Sequence, residues 1–292
     1  MEEHVMKEYV ICTDSGCDIR GDVLRKWQVP YLELTCRFDG EDKEYTEKDI
    51  AISEFYDRMR EGAVAKTSAI NPESFKEMFE TIVQTGKDVL YLGFSSGLST
   101  TFNSARLAAE ELAETYTDSK IMVVDTLCAS AGQGLLLYLV LQKQKEGASI
   151  EEAAGYAEET KKHLCHWFTV DDLEYLKRGG RVSPTVAFVG GVLGIKPVLH
   201  VDDEGHLVNK CKVRGRKASL NMLLQKYEEL AVDTRGIVYI SHADSNQDAD
   251  FIKTQFEEKY GAHVELVTDI GPVIGAHAGP GTIAIFFLGK ER

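Results

Sequence analysis

The chain has 292 residues, 43% of them hydrophobic, and a formal net charge of -14. That apolar content supports a sizeable core, and the length predicts two domains. The acidic balance excludes nucleic acid as a partner, because phosphate binding needs a basic face.

Residues 9–13 form a short apolar run closed by Asp14-Ser15-Gly16, which reads as a strand and a turn. Residues 31–38 read as a second strand, and residues 53–61 have helical spacing through Phe55 and Met59. Asn71 as N-cap with Pro72 at the first helical position opens a helix to about Gln84, ahead of Gly86. Residues 89–94 and 121–124 are buried strands; a long helix to about Tyr116 separates them, and a helix over 131–146 follows. This βαβα rhythm with near-continuous apolar strands predicts an α/β fold. Its first domain, residues 1–160, is a parallel sheet with helices on both faces.

The pattern changes after about residue 160. A helix over 149–163 bridges the halves, and Thr169-Val170-Asp171-Asp172 resembles a capping box opening a helix that ends at Gly179-Gly180. Strands at 195–201 and 207–214 flank a turn at Asp202-Asp203-Glu204-Gly205. A helix at 218–230, a strand at 236–242, a helix to about Tyr260 and strands at 263–268 and 282–288 complete the chain. Residues 161–292 thus read as a second domain, a mixed α+β sheet. Residues 270–281 carry Gly and Pro too densely for helix or strand throughout, and read as a loop that leaves His277 unshielded between small residues.

Ligands of doubly wound sheets bind beyond the carboxyl ends of the strands. Four loops fall there, at residues 14–17, 67–71, 95–100 and 125–130, all rich in hydroxyls or acids. A helix starting near Ser99 or Thr100 would aim free amides into that crevice and favour an anion. Thr67, Ser68, Ser95 and Ser96 add neutral hydroxyl donors, which suit a carboxylate that must also be released. Asp14 and Asp125 are expected to satisfy loop amides.

A different chemistry fits some of the same residues. Gly93-Phe94-Ser95-Ser96-Gly97 matches a nucleophile elbow, and Asp244 or Asp269 followed by His277 would complete the order of a serine hydrolase or thioesterase. Against it, Leu98-Ser99-Thr100 delays the helix that should follow the nucleophile directly. A binding protein for another small acidic ligand is the third reading. No nucleotide-binding Gly-rich motif occurs, and no His or Cys spacing matches a metal site. The six cysteines form no Cys-x-x-Cys pair and read as free thiols, Cys17 and Cys128 lying in suspected site loops. No signal-type apolar segment opens the chain, and the longest apolar run, residues 135–141, is too short to span a bilayer. A cytoplasmic protein without a transmembrane segment is expected.

The order of motifs resembles the DegV family of bacterial fatty-acid-binding proteins over nearly the whole length. The motifs are Thr13-Asp14-Ser15-Gly16-Cys17-Asp18-Ile19, Lys66-Thr67-Ser68, Ser95-Ser96-Gly97-Leu98-Ser99 and Asp125-Thr126 with Ala129-Ser130-Ala131-Gly132-Gln133-Gly134. Leu173 to Arg181, Ile195-Lys196-Pro197 and the Gly275 to Gly281 segment follow in order. The resemblance implies a non-catalytic protein that holds one long-chain fatty acid, such as palmitate, in a tunnel between the domains, with no other cofactor. Its carboxylate would meet Thr67, Ser68, Ser95, Ser96 and His277. Arg181 would lie at the mouth, toward a phosphate or a partner. The implied partner is the ATP-binding subunit of a fatty acid kinase, to which the protein presents the acid for acyl phosphate formation. A buried tail needs an apolar lining, for which Phe94, Phe102, Phe168, Phe188, Leu193 and Ile274 are candidates. The chain departs from the family pattern at Ala69-Ile70, where Gln-Pro is usual, and at Ala276 and Ala278, where hydroxyl residues are common. Those alanines leave His277 more of the head-group contact.

Overall fold

The structure is a computed structural model and describes residues 7–182 and 194–292. In chain order the first half comprises β1 (Tyr9–Asp14), α1 (Gly21–Lys26), β2 (Tyr31–Leu32), β3 (Thr35–Phe38), α2 (Ile52–Arg60), β4 (Ala65–Ser68) and α3 (Pro72–Val83). It continues with β5 (Asp88–Gly93), α4 (Thr101–Thr115), β6 (Ile121–Asp125), α5 (Ala131–Lys145) and α6 (Ile150–Thr160). The second half comprises β7 (Leu164–Thr169), α7 (Glu174–Arg178), β8 (Ile195–Val201), β9 (Leu207–Arg214) and α8 (Arg216–Leu230). It ends with β10 (Ile237–His242), α9 (Asn246–Gln255), β11 (His263–Asp269), α10 (Pro272–Ala278) and β12 (Ile283–Leu288).

Strands β2-β1-β5-β6 form a parallel sheet in that order. Alternation along β5 sends Leu90 and Leu92 to one face, with Leu136 and Val140 of α5, and Val89 and Tyr91 to the other, with Phe75 and Phe79 of α3. The other large sheet runs β11-β10-β12-β7-β8-β9, with β10 and β11 parallel and the remaining pairs antiparallel. One of its faces packs Trp167, Ile285 and Phe287 on α8 and α9. The other, through Phe168, Tyr239 and Phe286, shares a core with α5. Helix α5 is therefore apolar around most of its circumference because it lies between the two sheets. This is the expected α/β architecture, with a parallel sheet covered on both faces and a mixed sheet in the second half.

Local signals explain the helix ends. Asn71 accepts the Ser74 amide at 2.9 Å, and Ser149 and Glu152 form a reciprocal capping box on α6. Elsewhere the structure corrects the sequence reading. Residues 31–38 are two strands, because the chain leaves β1 after Leu32 and pairs antiparallel with β4 from Thr35. Strand β7 was not anticipated; every residue in it is buried, so it lacks the alternation of a half-exposed strand. Thr169 is not a helix cap, since it ends β7 and its hydroxyl donates to the Pro197 carbonyl at 2.8 Å. Asp172 instead accepts the Glu174 amide, at 2.9 Å. Residues 272–278 are helical, because Pro272 occupies the first turn, where no N–H is needed, and Gly279 at φ 80° stops the helix only afterwards. Among the described residues no helix is long and apolar enough to cross a membrane.

Candidate functional site

The ends of β4 and β5, the start of α4, the inner face of the mixed sheet and helix α10 enclose a cavity of about 500 Å³. That volume lies within the ~300–1,000 Å³ of small-molecule sites. Its walls are largely apolar, with Phe94, Phe168, Val201, Ile274 and Phe286 among them. Phe102 does not line it; it lies on α4, partly buried against the core formed with α3 and β5. Phe188 and Leu193 lie outside the described residues.

Polar groups gather at one region. The β3–β4 pairing, Cys36 opposite Thr67, fixes Thr67 at the cavity wall. Its hydroxyl shares a hydrogen bond of 2.8 Å with His277 Nε2 of α10. Nδ1 of that imidazole is buried with no partner among the described residues. Desolvation first, and the positive charge of Arg181 second, pull the His277 pKa down to about 4, so the ring is neutral at neutral pH. Gly179 packs on the ring so closely that a Cβ there would run into Nδ1, which explains the need for glycine at that position.

Arg181 lines the cavity half-buried; its Nε donates to the Leu98 carbonyl at 3.1 Å, and a second N–H donates to the Gly179 carbonyl. No carboxylate among the described residues pairs with it, and burial lowers its pKa. A half-buried cation with no acid partner among the described residues is a place where an anionic ligand would be favoured. Ser68 and Ser96 also line the cavity and are exposed to solvent. Ser99 and Thr100 add hydroxyls at the start of α4, where Thr100 makes no side-chain cap.

Ser95 is not brought to the cavity. It is fully buried, and its hydroxyl donates to the Gly205 carbonyl of the β8–β9 turn at 3.0 Å and accepts the Gly97 amide at 3.2 Å. The turn packs onto this loop, and its buried carbonyl demands a donor. Asp14 accepts the Gly16 and Phe94 amides at 2.8 and 3.0 Å, and Asp125 those of Ser96 and Leu127 at 3.2 and 3.1 Å. Both acids shape the loops as expected. Three polar lining residues, His166, Ser130 and Thr282, escaped the sequence reading as individual candidates. His166 sits on the unanticipated β7, and Ser130 was only part of a candidate loop.

The hydrolase arrangement is not assembled. Among the described residues His277 has no acid partner, Asp244 is bonded to Arg60 at 2.6 Å, and Asp269 lies 3.6 Å from His242 instead. A nucleophile–base–acid relay needs all three within hydrogen-bond reach. Cys17 and Cys128 are fully buried, and burial pushes both thiols above their ordinary pKa, away from the reactive thiolate. Among the described residues no three His, Cys, Asp or Glu side chains gather as a metal site.

Comparison with known proteins matches this architecture to one family. The DegV family model, described as "Uncharacterised protein, DegV family", matches residues 8–290. A DegV domain-containing protein of Clostridium perfringens is 44% identical over 289 residues, covering 98% of this chain and 99% of the relative. A DegV family protein from Thermus thermophilus, described for its fatty acid binding, superimposes with a TM-score of 0.87 at 30% identity, covering 97% of this chain and 99% of that one. A stearic acid-binding protein from Eubacterium ventriosum gives 0.86 at 28% identity, covering 97% and 98%. With the family match spanning nearly every residue and the same fold in both solved structures, the chain belongs to the DegV family.

Proposed function

We propose that the protein binds one long-chain fatty acid, with the acyl chain in the cavity and the carboxylate at its polar region. In this reading residues 1–160 supply the hydroxyls of Thr67, Ser68 and Ser96, and residues 161–292 supply His277 and complete the tunnel. Ser95 acts indirectly, by holding the loop that carries Ser96. Arg181 sits toward the mouth and faces the head group or a partner. The observation that carries the reading is the pairing of an apolar cavity with a cation and a neutral imidazole that, among the described residues, have no carboxylate partner and no Nδ1 partner respectively. The solved relatives that bind fatty acids support the ligand class.

The energetics are favourable. About 16 carbons at ~0.8 kcal/mol per buried methylene give ~13 kcal/mol of gross stabilisation. Lost translational and rotational freedom offsets roughly 4–15 kcal/mol of that. A carboxylate left without hydrogen bonds would cost several kcal/mol more, so the polar region decides whether the acid is retained. The exposed Ser68 and Ser96 keep the head group within reach of a second protein. We infer that this partner is the ATP-binding subunit of a fatty acid kinase, and that the protein itself performs no chemistry.

The test compares palmitate with 1-hexadecanol on protein stripped of lipid. The same chain without the carboxylate is expected to bind at least ~10-fold more weakly, the worth of a charged hydrogen bond. Equal affinity would remove the carboxylate site, and binding of neither would remove the function.

A further inference from the structure

Asp18 is a buried acid that the binding site described above does not use. It is 5% exposed and sits just after β1, with φ 49°, in the left-handed region that Asp tolerates better than most side chains. Its two carboxylate oxygens reach different parts of the fold. Oδ2 accepts the Ser130 hydroxyl at 2.5 Å, and Oδ1 accepts the Gly271 amide at 2.9 Å. Its own carbonyl accepts the Thr268 hydroxyl at 2.9 Å, and the Ser130 hydroxyl in turn contacts that of Ser241 at 2.9 Å. Ser130 also has positive φ, 54°, and lines the cavity. Ser130's backbone conformation, φ 54° and ψ -149°, is costly for a serine and persists only where its surroundings over-determine it.

Gly271 is the residue from which α10 starts. It has no side chain with which to cap the helix, and Pro272 has no N–H to donate. The start of this short helix is therefore held from outside, by the Asp18 carboxylate on the Gly271 amide and by the Tyr56 hydroxyl on the Ile270 carbonyl at 2.8 Å. His277 lies in the last turn of the same helix. We propose that Asp18 is a positioning residue for the head-group site, tethering the start of α10 to the β1 loop and to Ser130 and so fixing His277 beside Thr67. The proposal deepens the fatty-acid reading and rests on it for its effect on affinity.

Two readouts test the tether: palmitate affinity, and the His277 pKa measured by NMR in ligand-free protein. In Asp18→Ala, palmitate binding should weaken about tenfold. Its His277 pKa should rise from about 4 toward the ordinary 6.5 as the loosened imidazole gains water. Asp18→Asn should keep both near wild type, because its amide oxygen can accept from Gly271 and its amide nitrogen can donate to Ser130. A folded Asp18→Ala protein with both readouts unmoved overturns the proposal, as does an Asn variant that behaves like Ala. If Asp18→Ala does not fold, Thr268→Val removes one strand of the same tether at nearly constant shape. It should move both readouts in the same direction, with affinity down about threefold, and no movement overturns the tether. Wild type that takes up no palmitate contradicts the proposed function, while the ligand-free NMR readout still decides the tether.

Discussion

His277 concentrates the residue-scale argument. Its Nε2 bonds Thr67, and its Nδ1, packed against Gly179, has no partner among the described residues; in the proposed binding mode the carboxylate meets this ring. His277→Ala should weaken palmitate binding by about 10- to 100-fold, as expected for a hydrogen bond of ~1.5–3 kcal/mol to a charged group. Titration calorimetry of the variant reads this directly, and unchanged affinity would remove the residue from the site. A pH prediction follows from the same ring. His277 and His200 are pulled down to about 4, and His166 is lowered too, each chiefly by burial. The unfolded chain therefore binds more protons than the folded one between about pH 6.5 and 4. The stability these groups contribute is complete above 6.5 and is lost as pH falls through 4. Asp18 runs the opposite way. Raised to about 7 by burial, it contributes stability that is complete below its ordinary 3.8 and is lost as pH rises through 7. A bound carboxylate favours the imidazolium and raises the His277 pKa, so the palmitate complex should lose less stability than the free protein between pH 6.5 and 4. Parallel melting curves for the two forms over that window would contradict the placement of the carboxylate at His277.

Elements decide which hydroxyls count. Ser95 and Thr67 look alike as hydroxyls in candidate loops, yet the β8–β9 turn takes the first while the β3–β4 pairing delivers the second to the cavity. Ser95→Ala should therefore cost about 1–3 kcal/mol of stability, the penalty of a stranded Gly205 carbonyl. Thr67→Ala should instead lower palmitate affinity with little change in melting temperature. Comparing both variants by thermal melting and by titration separates the roles, and the reverse pattern would contradict them. The sequence made α3 legible through its Asn71-Pro72 start, while the Ser149–Glu152 capping box of α6 emerged only in the structure. It hid β4, whose Ala65-Lys66-Thr67-Ser68 has no apolar alternation and becomes a strand only through its partner β3. It hid β7 because both of its faces are covered, and α10 because glycine and proline mark a loop unless their places at helix ends are recognised. The hydroxyl loops and His277 were readable as polar groups near strand ends, but the partner of each hydroxyl depends on contacts between distant segments.

The whole molecule is organised around α5, which lies between the two sheets and shares a core with both. This arrangement joins a parallel and a mixed sheet over one cavity, with the polar region contributed by β4 from one half and α10 from the other. Bonds between the halves recur around it, from Arg60 to Asp244, Tyr56 to Ile270 and Ser130 to Ser241. A ligand that fills the cavity touches both halves and should stabilise them together, by about 2.7 kcal/mol at a free concentration 100 times the Kd. If the cavity holds a fatty acid, denaturing extraction of the purified protein followed by mass spectrometry should release about one equivalent of a long-chain fatty acid per chain. A lipid-free extract from protein that also fails to take up added palmitate would contradict the proposed binding.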